Sequence, residues 1–342
     1  MEHYAGLDVS LELTSVCIVD VQGGIVCEAK VASEPEALIG FLQTLPIARV
    51  GLEAGPLSQW LHAGLAGAGF ETVLLETRHV KAALSAMTVK TDRRDARGIA
   101  QLLRLGWYRP VHAKSASAQE IRALLTARKL IQAKLLDVES GIRGVLRGFG
   151  LKVGPISRGR FEARILELVD GNAILETVIG AMLGARAALE TEFKRLHCEL
   201  LALVRADPVC RQLMSVPGVG AIVAMTFKSG VDDPTRVKRS RDVGPHFGLT
   251  PRKYQSGELD VTGSITKVGD RMVRTALYEA ASVMLTRTVG FSGLKAWAMA
   301  VAKRRGMKKA RVALARKLGV ILHRMWVDGT TFRWSHEEPA IA

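Results

Sequence analysis

YAGLDVSLELTSVCIVDVQGGIVCEA, residues 4–29, is the stretch on which the reading of the fold turns. It holds three short β-rich segments, 4–9, 15–19 and 24–29. The gaps between them are too short for a crossover, so each strand must turn back on the last and pair antiparallel. The expectation is a three-stranded meander. Asp8 falls at the end of its first strand, two residues after Gly6, which leaves room beside it.

Working outward, a helical stretch at 35–45 leads to a strand at 49–53, a helix at 57–68, a strand at 71–75, and helices at 78–86 and 93–105. A meander followed by alternating helix and strand is the order of an RNase H-like, or RuvC-like, α/β domain, assigned here to residues 1–113. Residues 114–206 read as wholly helical. Ser117 and Glu120 match a capping box. Positions 121, 124, 128, 131, 135, 138, 142 and 145 then form a three-four seam broken only by Arg128. A second seam runs from Leu175 through Ile179, Met182, Leu189, Phe193, Leu196 and Leu200 to Leu203, interrupted by Arg186. This spacing fits a hairpin packing on itself or a coiled coil, and the expectation is a hairpin arm that also dimerises, because two helices alone bury little surface. Residues 207–334 make a mainly helical C-terminal domain, and 335–342 a tail.

The charge balance narrows the function. Forty-eight Lys and Arg against 33 Asp and Glu give a formal charge of +15 and a sequence pI near 10.0 on a chain that is 48% hydrophobic. That combination points to a folded nucleic-acid-handling protein rather than a disordered basic tail. No apolar run reaches the roughly 20 residues that cross a bilayer. The N-terminus lacks a signal-peptide core, and Cys17, Cys27, Cys198 and Cys210 form no CxxC pair. A cytoplasmic protein, nucleoid-associated when active, is the expectation.

Four acids carry the chemistry. Asp8 ends the strand in GLDVS and Glu53 the strand in GLEAG, while KTDRRDA puts Asp92 and Asp95 three apart on one helical face. Any one of them alone is more simply a surface carboxylate, and the last two alone could serve a helix start. In the expected topology, however, the two strand ends are neighbours and the helix packs across them. Hard carboxylate oxygens are what Mg²⁺ (or Mn²⁺) takes, and a pair of such ions clamps both oxygens of a phosphodiester under in-line attack.

Three candidate phosphate sites follow. SVPGVG (215–220) exposes backbone N–H groups of Gly218 and Gly220 at a helix start, where a phosphate can sit; a plain Pro-Gly turn before a buried helix explains it as well. KRRGMKKARVALARK (303–317) gathers Lys303, Arg304, Arg305, Lys308 and Lys309; such dense charge is often only a solvated face, but with the global excess it reads as a candidate phosphate-binding surface, and Arg252, Lys253, Lys267 and Arg271 around YQSGELD are further candidates. Ser256 in that last motif, taken alone, is an ordinary Ser-Gly loop residue.

The chain resembles the DEDD-type insertion-sequence transposases with a RuvC-like N-terminal domain, the one-hundred-and-ten family related to Piv-type invertases. The resemblance rests on GLDVS, GLEAG, KTDRRDA, SVPGVG and GPHFGLTPRKYQSGELDVTGSITKVGDRMVRTALYEAA (244–281), in that order over nearly the whole chain. The lysine often found soon after the first aspartate is absent from DVSLELT. The resemblance implies a recombinase that cuts and rejoins donor and target DNA. Asp8, Glu53, Asp92 and Asp95 would hold the metal, and Ser256, before Ser264, would be the nucleophile. It further implies a structured guide RNA. A homo-oligomer, a dimer that becomes a tetramer on DNA, is expected, and the seam over 115–205 adds that, if the arm dimerises, one protomer's serine could complete another's carboxylate pocket. The rival readings are a RuvC-like nuclease or junction resolvase that uses water, and a nucleic-acid-binding scaffold without chemistry.

Overall fold

A computed structural model describes residues 2–287, 290 and 292–334; the tail expected at 335–342 lies outside them. The chain divides into two compact units, 1–114 and 115–342.

In the first unit the meander forms as β1 (His3–Val9), β2 (Leu13–Asp20) and β3 (Ile25–Ala32), paired antiparallel in sequence. β4 (Ile47–Glu53) then adds parallel to β1, and β5 (Thr72–Leu75) parallel to β4. A short β6 (Pro110–Val111), which the sequence did not signal, closes the sheet antiparallel to β5. The order is β3-β2-β1-β4-β5-β6, a six-stranded mixed sheet consistent with an RNase H-like domain.

Alternation along each strand fixes the two faces. Ala5 and Leu7 of β1 and Val50 and Leu52 of β4 point toward α1 (Pro35–Leu42) and α2 (Ser58–Gly67), where Leu38, Leu42, Leu61 and Leu65 complete a dry core. The opposite face takes α4 (Asp92–Arg104), whose Ala96 and Ala100 pack on Cys17 and Val19. The helical stretch expected at 78–86 is α3 (Thr77–Ala83) followed by one tight turn, Leu84–Ala86, with Leu84 pressed against Gly98 of α4.

The second unit begins with α5 (Ala116–Gly148), which pairs with α7 (Ala173–Ala206). The pair is antiparallel: Arg128 reaches His197, Glu139 reaches Arg186, and Gly141 faces Met182. The arm is therefore an intramolecular hairpin, capped at its far end by α6 (Phe161–Val169) in a core with Ile142, Leu146, Ile179 and Leu183. Its seam drifts from the strict three-four reading, since Leu183 and Val204 are buried where Met182 and Leu203 were expected. An α-helix of 3.6 residues per turn slips about 20° per heptad, so a straight pair moves its contact line round the helix. Arg186 interrupts nothing: it is 4% exposed and pairs with both Glu139 and Glu190 at 3.0 Å.

One boundary is corrected. The cap of α5 is Ser115, not Ser117 of the expected capping box; its hydroxyl accepts from the Ala118 N–H. Asp232 explains the choice, because its carboxylate accepts from both the N–H and the hydroxyl of Ser115 at 2.8 and 2.6 Å.

The rest of this unit is a helical core of α8 (Pro208–Leu213), α9 (Ala221–Val231), α10 (Val243–His246), α11 (Arg271–Thr286), α12 (Gly293–Arg305) and α13 (Met307–Asp328). One element is not helical. β7 (Pro251–Ser256) and β8 (Leu259–Ile265) form an exposed antiparallel hairpin with Gly257 and Glu258 at its tip.

Candidate active site

Strand register brings the first two acids together. Leu7 of β1 lies opposite Leu52 of β4 in a parallel ladder, so the next residues, Asp8 and Glu53, stand side by side where β1 and β4 part, Asp8 still paired with Ser15 of β2 and Glu53 with Leu75 of β5. Both share the parity of Gly6 and Gly51, the residues under α4, and therefore belong to the α4 face. α4 can cross there only because those positions lack a Cβ. A methyl on Gly6 would come 2.4 Å from the Ala100 nitrogen, and one on Gly51 2.5 Å from Leu103 Cδ1.

The helix itself is fixed at both ends. Thr91 caps it, its hydroxyl accepting from the Arg94 N–H at 3.3 Å. Arg93 donates to Glu28 of β3 through Nε at 2.6 Å. Farther along, the Gln101 amide donates to the Gly23 carbonyl at 2.8 Å and Arg104 to that of Val21 at 3.3 Å. Asp92 and Asp95 thus stand in the first turn of a helix that is anchored along its length, and Lys90 lies 3.8 Å from the Asp95 carboxylate.

Electrostatics tie the acids into one group. Burial, then the nearby charges of Asp95 and Asp92, push the Asp8 carboxyl up to about 6, against a smaller pull from Lys90. Glu53 is raised too, by burial first and then by Asp8 and Asp95. Among the described residues, Lys90 is the one cation that acts on both Asp8 and Glu53, and it does not offset burial and the neighbouring acids. Asp8 and Glu53 line a cleft of about 320 Å³ together with Ser10, Ser58 and Thr77. Asp92 and Asp95 do not line that cleft. Thr77, whose hydroxyl donates to the Ala54 carbonyl at 3.0 Å, was missed in the sequence, where nothing set it apart from other helix-start threonines.

The donor set suits a divalent cation: hard oxygens, mutually repelling, with a cleft on one side. As the side chains stand, no three His, Cys, Asp or Glu among the described residues are gathered closely enough to grip an ion. The expected convergence into one pocket is therefore one of strand ends, helix start and electric field, not of a closed cage.

The C-terminal candidates are placed as follows. Ser256 ends β7, exposed and opposite Leu259 at the hairpin tip, and Ser264 lies on β8. Both belong to the second compact unit, the carboxylates to the first. Arg252 and Lys253 line the same hairpin, with Lys253 paired to Asp260 at 3.3 Å. Lys267 and Arg271 flank its return to α11. Lys303, Arg304 and Arg305 end α12, and Lys308 and Lys309 open α13, all exposed. The SVPGVG turn separates into two parts. Gly218 has φ +84° and sits where a Cβ would come 2.6 Å from the Ala280 carbonyl oxygen, so packing on α11 accounts for it without a ligand. Gly220, at the exposed start of α9, keeps a free approach.

Comparison with known proteins gives a consistent result. A transposase family model of the IS110 DEDD type matches residues 5–150 and the model of the transposase IS116/IS110/IS902 family matches residues 210–297. The chain is 28% identical over 334 residues to the transposase for insertion sequence element IS1111A of Coxiella burnetii, covering 96% of this chain and 90% of the relative. It is 26% identical over 335 residues to a probable family 20 transposase of Pseudomonas aeruginosa, covering 96% and 98%. Over 300 residues it is 24% identical to the transposase for insertion sequence element IS1328 of Yersinia enterocolitica, covering 86% and 88%.

Proposed function

Because the chain belongs to the IS116/IS110/IS902 transposase family and is a DNA transposase, we propose that it cuts and rejoins the DNA of an insertion sequence with the acids Asp8, Glu53, Asp92 and Asp95 and the nucleophile Ser256. The observation that carries this reading is the pairing of Asp8 and Glu53 at adjacent strand ends, both raised in pKa and under the field of the α4 acids. DEDD transposases typically use divalent metal ions. The four acids would hold Mg²⁺, whose chemistry is to stabilise charge on the phosphate oxygens and the departing oxygen.

The protein's own groups divide the rest of the work. The strand ends and the anchored α4 fix the backbone positions of the four acids, so what remains when the phosphate arrives is rotation of their side chains. Ser256 Oγ attacks phosphorus and gives up its proton as the phosphoserine ester forms, while the P–O bond to the departing DNA strand breaks and that oxygen takes up a proton to become a free hydroxyl. The bond energy stays in that ester, so the strand can be resealed by the reverse attack of a DNA hydroxyl. An exposed hairpin tip is a suitable carrier, because it presents the hydroxyl to a bulky duplex without steric hindrance.

The same reading includes a structured guide RNA that supplies sequence recognition by base pairing, and an oligomeric assembly on DNA. The +15 charge with 5% aromatic residues supports a protein that holds backbones and leaves the bases to pairing. The test is a denaturing gel of the protein with labelled donor DNA, Mg²⁺ and co-purified RNA. A protein–DNA adduct lost in Ser256→Ala, in Asp8→Asn and on chelation is expected. Cleavage without an adduct would identify a water-using nuclease, and an adduct surviving Ser256→Ala would move the nucleophile to Ser264.

A further inference from the structure

The second unit holds a cleft of about 640 Å³ that the catalytic reading does not use. Its walls come from the segment between α9 and the serine hairpin. Arg236, Lys238 and Arg239 face it with His246, against the carboxylate of Asp242. Lys238, Arg239 and His246 are exposed, so the cleft is a trough open to the surface rather than an enclosed pocket.

The segment is irregular, two tight turns (Pro234–Arg236 and Ser240–Asp242) running into α10, yet it is firmly held. His323 of α13, only 2% exposed, stands behind it. Its Nε2 lies 2.9 Å from the Pro234 carbonyl oxygen, which can only accept, so Nε2 carries a proton and donates. Its Nδ1 lies 3.0 Å from the Ser240 hydroxyl. One buried ring thus ties the two turns together, one on each nitrogen. Asp233 accepts from the Thr235 N–H at 2.8 Å, and Arg236 donates to the Val231 carbonyl at 3.0 Å. Arg239 is aligned by Asp242 at 2.9 Å. From α13, Arg316 lies across Gly244, where a Cβ would come 2.9 Å from its Cγ.

Three cations face the trough against one carboxylate, that of Asp242, which leaves it with an excess of positive charge. Burial already pulls the Arg236 guanidinium below its ordinary range, which the Asp232 and Asp233 charges behind it only partly offset. An open, preformed trough with a cationic excess fits a polyanion running past it, since a small metabolite would be enclosed more fully. We propose that this trough is a DNA-binding site that grips the duplex backbone through its phosphates, with Arg236, Lys238 and Arg239 as the contacts and His323 as the residue that positions them. DNA is the occupant because the enzyme is a DNA transposase and must hold its substrate beyond the reacting phosphate; the proposal rests on that family membership but not on the serine or the carboxylates. A backbone grip of this kind carries no sequence information and supplies affinity and register.

The test uses the full-length protein, a labelled DNA duplex and chelator, so that no strand is cut and a failure of the proposed chemistry cannot affect the result. Affinity is measured by fluorescence anisotropy over a series of KCl concentrations for wild type, for the double variant Lys238→Gln/Arg239→Gln, and for a charge-matched control, Lys194→Gln/Arg195→Gln, on the arm. The two cleft residues are exposed, and unchanged thermal melting checks that the variant folds. The expected result is a roughly tenfold weaker affinity for the cleft variant and a salt slope shallower by about 2, close to one unit for each lost phosphate contact. The control keeps the wild-type slope. An unchanged slope in the cleft variant, or an equal drop in the control, overturns the proposal. Stronger binding of an RNA of the same length, lost in the cleft variant while DNA binding is not, would reassign the trough to RNA and overturn it equally.

Discussion

Gly6 of β1 lies directly beneath Ala96 of α4: a methyl at Gly6 would stand 2.2 Å from the Ala96 carbonyl oxygen. No side chain rotates out of that clash, because the obstacle is helix backbone. Gly6→Ala must lift α4 from the sheet, with Asp92 and Asp95 at its start. Overpacking of this kind costs roughly 1–3 kcal/mol. Strand cleavage should fall further, about a hundredfold, as the misplacement of a catalytic group by an ångström does. Melting curves and cleavage rates measured on the same preparation check both; a stable variant with wild-type cleavage would mean that the close approach does not set the site.

Asp8 makes a prediction of opposite sign for stability. Its carboxyl is raised to about 6 when folded, so the folded chain holds that proton more tightly than the unfolded one. Stability therefore falls as pH rises from the ordinary carboxylate range through about 6, and the deficit is complete above it. Glu53 is raised as well and adds in the same direction. Asp8→Asn removes the charge, and above neutral pH it should raise the melting temperature by roughly 2–4 °C, a size reduced because half of the site is open to water. Below the ordinary carboxylate range the two proteins should melt together. Added Mg²⁺ should stabilise wild type more than the variant. A variant less stable than wild type at every pH would remove the case for a strained acid cluster.

The N-terminal domain was largely legible, because its code is local. Strand parity, hairpin-length gaps and the glycines of GLDVS and GLEAG act within a few residues of the acids they position. The missed β6 is two residues long and exists only through its pairing with β5. Ser115 as the cap of α5 depends on Asp232, more than a hundred residues away, and no periodicity reports such a partner. The basic trough escaped for a related reason. RVKRSRD holds fewer cations than the run at 303–317, and what makes it a cleft is a histidine of α13. Gly248 and Gly269 show how a motif can be visible while its reason is hidden. Each has positive φ and lies against backbone, so that an added Cβ would collide with Val268 at Gly248 and with the His246 carbonyl at Gly269; the two ends of the serine hairpin are thus packed backbone to backbone.

Arg186 is a structural counterpart to these functional sites. Its guanidinium joins Glu139 of α5 to Glu190 of its own helix and lies 5.1 Å over the Phe161 ring. Arg186→Ala would leave Glu139 in the arm without its cation. A loss of about 2–4 kcal/mol is expected, most of it the penalty of the abandoned carboxylate rather than the worth of the pair. Arg186→Leu combined with Glu139→Leu should therefore be markedly more stable than Arg186→Ala. Chemical denaturation of the three proteins decides it, and a double variant as weak as the single one would show that the ion pairs themselves hold the arm.

Asp270 serves two structures at once. Its carboxylate caps α11, accepting from the Met272 and Val273 N–H groups at 2.7 and 3.2 Å, and it pairs with Arg122 of α5 at 2.5 Å. Two substitutions separate the roles. Asn retains an oxygen acceptor for the cap and loses the charge, whereas Ala loses both. Asp270→Asn should cost about 1 kcal/mol and Asp270→Ala about 2–3 kcal/mol, with the difference set by the lost cap. The capped end of α11 also fixes Gly269 and Lys267, which return the chain from the serine hairpin. Recombination should therefore fall in the same order as stability, Asn before Ala, without any change in Mg²⁺ dependence. Equal losses for both variants would assign the whole effect to Arg122 and none to the helix cap.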